Sequence, residues 1–251
     1  MHFHLPKPLH GWREFVGEVG IIVVGVLIAL GAEQAVETLQ WRHKVSETTQ
    51  SLRAEVAIHD FQVAEVVISA PCVDQQLQTL EKAVLKTGPY VPVPLYTSTG
   101  MQFAYRAPIR GWPDEMWQTA ISDGVASHLD RELRQSLATH YAQIVTMREY
   151  ERSADSLLWR MRVLAQPVQP DAAHRTALIE ELEQARGVHS LMAIVGKQIL
   201  SRVDEMKFAP SRRQLAQDLS ESGTLNFCRA HGLPLGAIMA DSSTADTNKT
   251  S

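Results

Sequence analysis

The sequence predicts an all-α protein: an N-terminal transmembrane helix that continues into a long-helix antiparallel bundle. Three observations carry that prediction. The thirteen residues 20–32, "GIIVVGVLIALGA", contain no polar side chain, as suits a helix with apolar surroundings on every side. From residue 52 to residue 206 apolar positions recur at steps of three and four, the period of a helix with one buried face. Alternation of the kind a half-buried strand needs is sustained nowhere along the chain.

Residues 1–14 form a short N-terminal tail and residues 15–34 the anchor. Adding Phe15 to Val19 brings the run to about the length needed to cross a bilayer core, with Glu18 as the one interruption. Trp12 and Trp41 bracket it. By helical rise they stand roughly 43 Å apart, close to bilayer thickness with headgroups, and indoles favour that depth. Glu18 then lies about 9 Å along the helix from Trp12, at an interface rather than at the midplane.

Two other readings of the run stay open. In a cleaved secretory signal, Ala29-Leu30-Gly31 would be the small-residue site, although Glu14 and Glu18 precede the run where a signal carries a short positive segment. In a soluble helical protein the same run would be the buried central helix. Against cleavage, "AEQAVETLQWRHKV" continues with strong helix formers and no breaker. Basic residues nearly balance across the run, Lys7 and Arg13 before it and Arg42 and Lys44 after it. A short tail and a large following domain favour a single-pass inner-membrane protein with its C-terminal domain in the periplasm.

The bundle domain is placed at 35–235. Its first helix shows a stripe at Leu52, Val56, His59, Val63 and Val66 and is expected to end at Ala70-Pro71, since proline removes a helical donor. A shorter helix is expected over 73–85, stopped by Gly88-Pro89. Periodicity then lapses over 88–113, where "GPYVPVPLYTSTGMQFAYRAPIRGWP" holds five prolines in twenty-six residues. So long an irregular loop is either a functional lid or a packed connector. Helix resumes in "DEMWQTAISDGVASHL". Asp130 is the expected N-cap of a long helix with Leu137, Tyr141, Ile144, Met147, Leu157 and Leu164 inward, ended by Pro167 and Pro170. Asp171 caps its partner, with Leu178, Leu182, Ala185, His189, Met192, Ile199 and Val203 inward, and "QPVQP" is short enough to fold the two back on each other. A last helix is expected over 211–231, and 236–251 is expected to be a disordered polar tail.

Two stretches carry a resemblance. "GEVGIIVVGVLIALGAEQAVE" (17–37) and "WQTAISDGVASHLDRELRQSLATHY" (117–141) are similar to a bacterial domain-of-unknown-function family of small single-span membrane proteins. Its members read Gly-Glu, a short apolar run and a polar helix, and later a Trp, a Gly, a Leu-rich segment and a Tyr. The resemblance implies the anchor and a helical domain, and it brings no activity with it. This chain departs from the commonest pattern at Gly31-Ala32-Glu33-Gln34, where Asn-rich segments are frequent.

Candidate chemistry is sparse. There is no phosphate-binding glycine loop, no serine nucleophile elbow, no H-E-x-x-H helix and no C-x-x-C pair. A net charge of −4 argues against a broad nucleic-acid surface. His59, His140 and His189 lie on core stripes and are read as half-buried bundle histidines without a common metal. His2, His4 and His10 make at most a weak metal-binding tail, and Cys228 with His231 lacks a second ligand pair. No cofactor or metal is expected. Cys72 and Cys228 pair only if the domain lies in an oxidising compartment. Gly25 and Ala29, with Gly17 and Ala32 near the same face, offer a packing face for a homodimer of anchors. Trp112 and Trp117, with Tyr96, Phe103 and Tyr105, either plug the open side of the bundle or line a groove. The functional expectation is a membrane-anchored helical envelope protein, a non-enzymatic binding, sensing or scaffold module whose partners are the lipid bilayer and an unknown protein. The alternative is an enzyme with an active site under loop 89–113, using Glu115, Arg106, Arg110 or His128.

Overall fold

A computed structural model describes residues 11–92, 96–98, 101–208 and 210–237. The tail histidines His2, His4 and His10 and residues 238–251 lie outside them. The described chain is all-α, with six α-helices: α1 (Trp12–Leu85), α2 (Glu115–Ser122), α3 (Arg131–Arg160), α4 (Ala172–Met206), α5 (Arg212–Glu221) and α6 (Gly223–Ala230). Two three-residue strands, β1 (Tyr96–Ser98) and β2 (Met101–Phe103), pair antiparallel within the long loop. The chain divides into compact units at 1–49 and 50–251. The second therefore begins at Gln50, inside α1, whereas the sequence reading starts the bundle at residue 35.

In the first unit α1 is exposed along its whole apolar run, and every residue from Phe15 to Gln40 is exposed. Near the N-terminus α1 is long and apolar enough to cross a membrane. A buried central helix would hide this run, and here none of it is buried.

In the second unit α1 buries Leu52, Val56, Val63, Val66, Val73, Leu77, Leu80 and Val84. The expected break at Pro71 does not occur, and the expected helix over 73–85 is the last part of α1. Proline deprives the carbonyl four residues back of its donor, which leaves the helix locally short of bonds. The carbonyl left without its helical donor is that of Val67, and the chain is tied down from outside right beside it: the Gly236 N–H donates to the Ile68 carbonyl at 2.8 Å, and Cys72 is disulfide-bonded to Cys228 of α6. Gly236 is thus held against α1, although the sequence reading assigns it to the tail. At the end of α1, Arg175 donates to the Val84 carbonyl, an orphan acceptor of the last turn, and to the Lys86 and Gly88 carbonyls just beyond it.

α3 and α4 begin at the predicted caps. The Asp130 carboxylate accepts from the Glu132 and Leu133 amides, and Asp171 from His174. Contacts between the two helices join position 143 to 198 and 202, and position 160 to 181. α4 also passes close to α1 at Gly196, where an added Cβ would come within 2.8 Å of Val67 Cγ2. One core cluster gathers Leu77, Leu80, Tyr90, Tyr105, Leu157, Met161 and Leu182. A smaller one joins Ala64 and Ile68 to Leu219 and Leu225.

The helix expected over 211–231 is two helices broken at Ser222. There the backbone leaves the helical region (φ −58, ψ 119), and the hydroxyl caps α6 by accepting from the Leu225 amide. The same hydroxyl donates to Glu65 at 2.5 Å. A bond to a buried carboxylate outside the helix competes with helix continuation and wins.

Candidate functional site

The polar chemistry of the second unit gathers on one stripe of α1. Glu55, His59, Gln62, Glu65, Ser69, Cys72 and Gln76 recur at steps of three and four, and all but Gln76 are buried. Spacing of that kind puts them on one face. What covers the face is an extended strap, residues 104–116, which follows β2 and leads into α2.

The strap runs against the direction of α1. Gln76 pairs with the backbone of Arg106, accepting from its N–H at 2.8 Å and donating to its carbonyl at 3.0 Å. Glu65, fully buried, takes the Arg110 guanidinium in a two-pronged ion pair at 2.6 and 2.7 Å. The His59 Nε2 meets the Pro113 carbonyl at 2.7 Å. Glu55 accepts from the Met116 N–H at 3.3 Å and from the Tyr141 hydroxyl at 2.8 Å.

α3 grips the strap from its other side. Glu151 accepts from the Arg110 backbone N–H and from the Trp112 indole N–H. Arg148 donates to the Trp112 carbonyl at 2.5 Å and pairs with Asp114 at 2.9 Å. The Arg110 guanidinium also lies 5.6 Å from the Phe61 ring centroid. Arg110 therefore sits between two acidic side chains on different helices, its side chain on Glu65 and its backbone on Glu151.

Burial sets the protonation of this region. It raises the Glu151 carboxyl, against the pull of its two N–H donors. It lowers His59 to about 4 and His140 to about 3. Asp60 is raised to about 6, by burial first and by Asp204 second. His189 is lowered to about 4 by burial, and its Nε2 meets the Tyr105 hydroxyl at 3.3 Å. Burial also raises Tyr105 and Tyr141, the latter further through its bond to Glu55.

The three histidines are more deeply buried than the sequence reading has them. His59 and His140 are completely buried and bonded to each other at 3.0 Å, while His189 bonds Tyr105 instead. Among the described residues no group of three or more His, Cys, Asp or Glu is placed to hold a metal. Cys72 and Cys228 are joined, both fully buried, with 6.1 Å between their Cα atoms. His231, which shares the C-x-x-H spacing with Cys228, stacks on Phe227. Trp112, Trp117 and Tyr105 are buried, and Trp117 stacks on Tyr141 at 5.4 Å. These aromatics fill the side of the bundle under the strap.

The four residues proposed for an enzyme are not all brought together: Arg110 and Glu115 border an open cleft of about 480 Å³ beside Trp112 and Arg148, Arg110 also shares a second hollow with Arg106, and exposed His128 borders neither. In the first unit Trp12 and Glu18 are exposed, Trp41 is half-buried with the Lys44 ammonium 5.2 Å over its ring, and Gly25 and Ala29 are exposed.

Glu65, Glu151, Arg148, Ser222 and Gln76 were not singled out from the sequence. The available signal was Glu65 itself, set within the mostly apolar segment "QVAEVVISA". A carboxylate there demands a partner, since an unpaired buried charge is prohibitive. No family model, curated protein or solved structure matches this chain.

Proposed function

We propose that this chain is a single-pass protein of a bacterial inner membrane, with residues 15–34 of α1 in the bilayer. Its helical domain, an antiparallel bundle over 35–235, stands in the periplasm as a non-enzymatic binding, sensing or scaffold module. The observation that carries this reading is the 18-residue apolar window of α1, none of it buried. Ile21, Ile22, Leu27 and Ile28 are 63% to 76% exposed. Each such side chain is worth about 1.5–3 kcal/mol when taken out of water. Lipid takes them out on every side of the helix at once, which no single protein face does.

Two further features support the reading. The Cys72–Cys228 bond is of the kind that persists in oxidising compartments, and it favours the periplasmic side where the balanced basic flanks are silent. The similarity of 17–37 and 117–141 to the single-span family points the same way. The non-enzymatic part rests on the strap, whose carboxylates and guanidiniums are engaged with one another rather than turned toward a substrate. In the bilayer Gly25, where an added Cβ meets nothing within 4 Å, and Ala29 leave room for a second copy of the helix.

A reporter fused after Ser251 and active only in the periplasm tests the topology, with alkaline carbonate washing of membranes alongside. The expected outcome is an active reporter and a protein that stays in the pellet. A cytoplasmic reporter signal overturns the topology, and extraction by carbonate overturns the anchor.

A further inference from the structure

The hydrogen-bond chain that ends on the strap has forced proton positions. The Pro113 carbonyl only accepts, so His59 Nε2, 2.7 Å away, carries the hydrogen. His59 is held neutral by burial, so its Nδ1 is a bare lone pair. That lone pair faces His140 Nε2 at 3.0 Å, which must then be the donor. The end of this hydrogen-bond chain, His140 Nδ1, is left bare, buried and without a hydrogen-bond partner among the described residues.

We propose that the His59–His140 pair is a proton-operated latch on the strap, which holds Pro113 against α1 while the pair is neutral and lets it go when the pair takes up protons. A first proton finds one free lone pair, on His140 Nδ1, where no acceptor meets the new N–H. A second proton has only the His59 Nδ1 lone pair, already used in the bond to His140, and must break that bond. Both charges would sit in completely buried rings. Opening the strap wets His59 and removes the cost, so proton uptake and strap release are linked.

The surrounding charges do not relieve the pair. From α3 Arg148 faces His59, and from α4 Arg202 faces His140, both opposing a positive charge. At the start of α2, Asp114 and Glu115 favour one, but Asp114 is paired with Arg148 and Glu115 accepts from the Asp114 amide. On α1 the nearby carboxylate of Glu55 is held by Tyr141, whose ring stands edge-on to both imidazoles. Burial dominates over all of these and over the Pro113 carbonyl, which itself favours a charge on His59, and it pulls His59 to about 4 and His140 to about 3. The residues on either side of Pro113 in the chain, Trp112 and Asp114, border the open cleft together with Arg148.

Hydrogen exchange of the full-length protein in detergent micelles tests the latch, with rates corrected for the intrinsic effect of pH. Between pH 6.5 and 4.5 the strap amides are expected to lose protection by ~10-fold or more while far-UV circular dichroism stays constant. The double variant His59→Gln and His140→Gln keeps an N–H donor at each Nε2 position and cannot titrate. Its strap is expected to stay protected over the same range. A wild-type strap that remains protected, a double variant that opens at the same pH, or a strap that opens only with global loss of helix overturns the proposal. Should the double variant fail to fold, imidazole nitrogen shifts of the wild type decide instead. A neutral His140 bearing its hydrogen on Nδ1 contradicts the latch, and one bearing it on Nε2 sustains it.

Discussion

Two stretches of the same helix invert the usual relation between polarity and burial. Residues 15–40 of α1 hold the most apolar run in the chain and are exposed throughout, while residues 52–76 carry Glu55, His59, Asp60, Gln62 and Glu65 and bury them all. Hydropathy alone assigns them the other way round. What separates the stretches is whether partners are supplied. The first has none within its unit, so its apolar side chains meet whatever surrounds them. The second meets a strap and neighbouring helices that return bonds to Glu55, His59 and Glu65, which offsets the penalty for taking those groups out of water.

The largest effect that would break this contrast is loss of Glu65. Glu65→Ala removes the partner of Arg110 and a bond to Ser222, and breaking a buried ion pair from one side costs about 3–5 kcal/mol. Denaturant titration of the domain should show the loss, whereas Glu18→Ala on the exposed stretch should shift the same midpoint by less than about 0.5 kcal/mol. Equal effects would mean that the two stretches do not differ in the way described.

The disulfide comes next. Cys72→Ala with Cys228→Ala frees a connection that spans 156 residues of sequence and is expected to lower stability by about 2–5 kcal/mol. Its loss should act on the Pro71 region first, read as faster amide exchange around Ile68 and Gly236. An unchanged exchange pattern there would remove the account given for helix continuity through proline.

Acidification sharpens the comparison, because it touches only the stretch with buried titratable groups. His59, His140 and His189 lie below the ordinary histidine value. The unfolded chain therefore binds their protons before the folded one does, and stability is lost as pH falls from 6.5 toward 4. For His189 alone that is about 3 kcal/mol at the acid end. Asp60, raised to about 6, has the opposite sign: the folded state holds its proton first and gains stability as pH falls through 6, which offsets roughly one of the three histidines. The net expectation is a lower urea midpoint at pH 4.5 than at pH 7, and a flat profile would contradict it.

The smallest effect is steric. Gly196→Ala gains about 1 kcal/mol of helix propensity, but its methyl meets the stiff, buried Val67 at 2.8 Å, and overpacking costs about 1–3 kcal/mol. A net loss near 1 kcal/mol in thermal or denaturant unfolding is expected. A gain would show that α4 shifts freely along α1.

Several parts of the molecule were legible because they are written locally. Asp130 and Asp171 cap the helices that follow them, as their position ahead of an apolar-periodic run requires. Trp112 and Trp117 are buried in the bundle as the plugging reading has them, while Trp112 also borders an open cleft. Pro71 and Ser222 were misread for the same reason that the caps were read well. A local rule holds until a distant group competes, and at Pro71 the competitors are Gly236 and Cys228, at Ser222 the Glu65 carboxylate. Of the polar seam the sequence points only to His59, Cys72 and Arg110, each for a different reason. The partners of Glu65, Arg110 and Ser222, stand 45 and 157 residues from it in the chain.

By itself the sequence determined the all-α class, the helical apolar run near the N-terminus and the starts of the two long helices, since each depends on neighbours three or four positions away. The tertiary structure decided that α1 passes through Pro71, that the long loop becomes a strap, and that His59 meets His140. Those outcomes turn on which distant surfaces the fold brings together, and that meeting supplies the partners a buried carboxylate such as Glu65 needs.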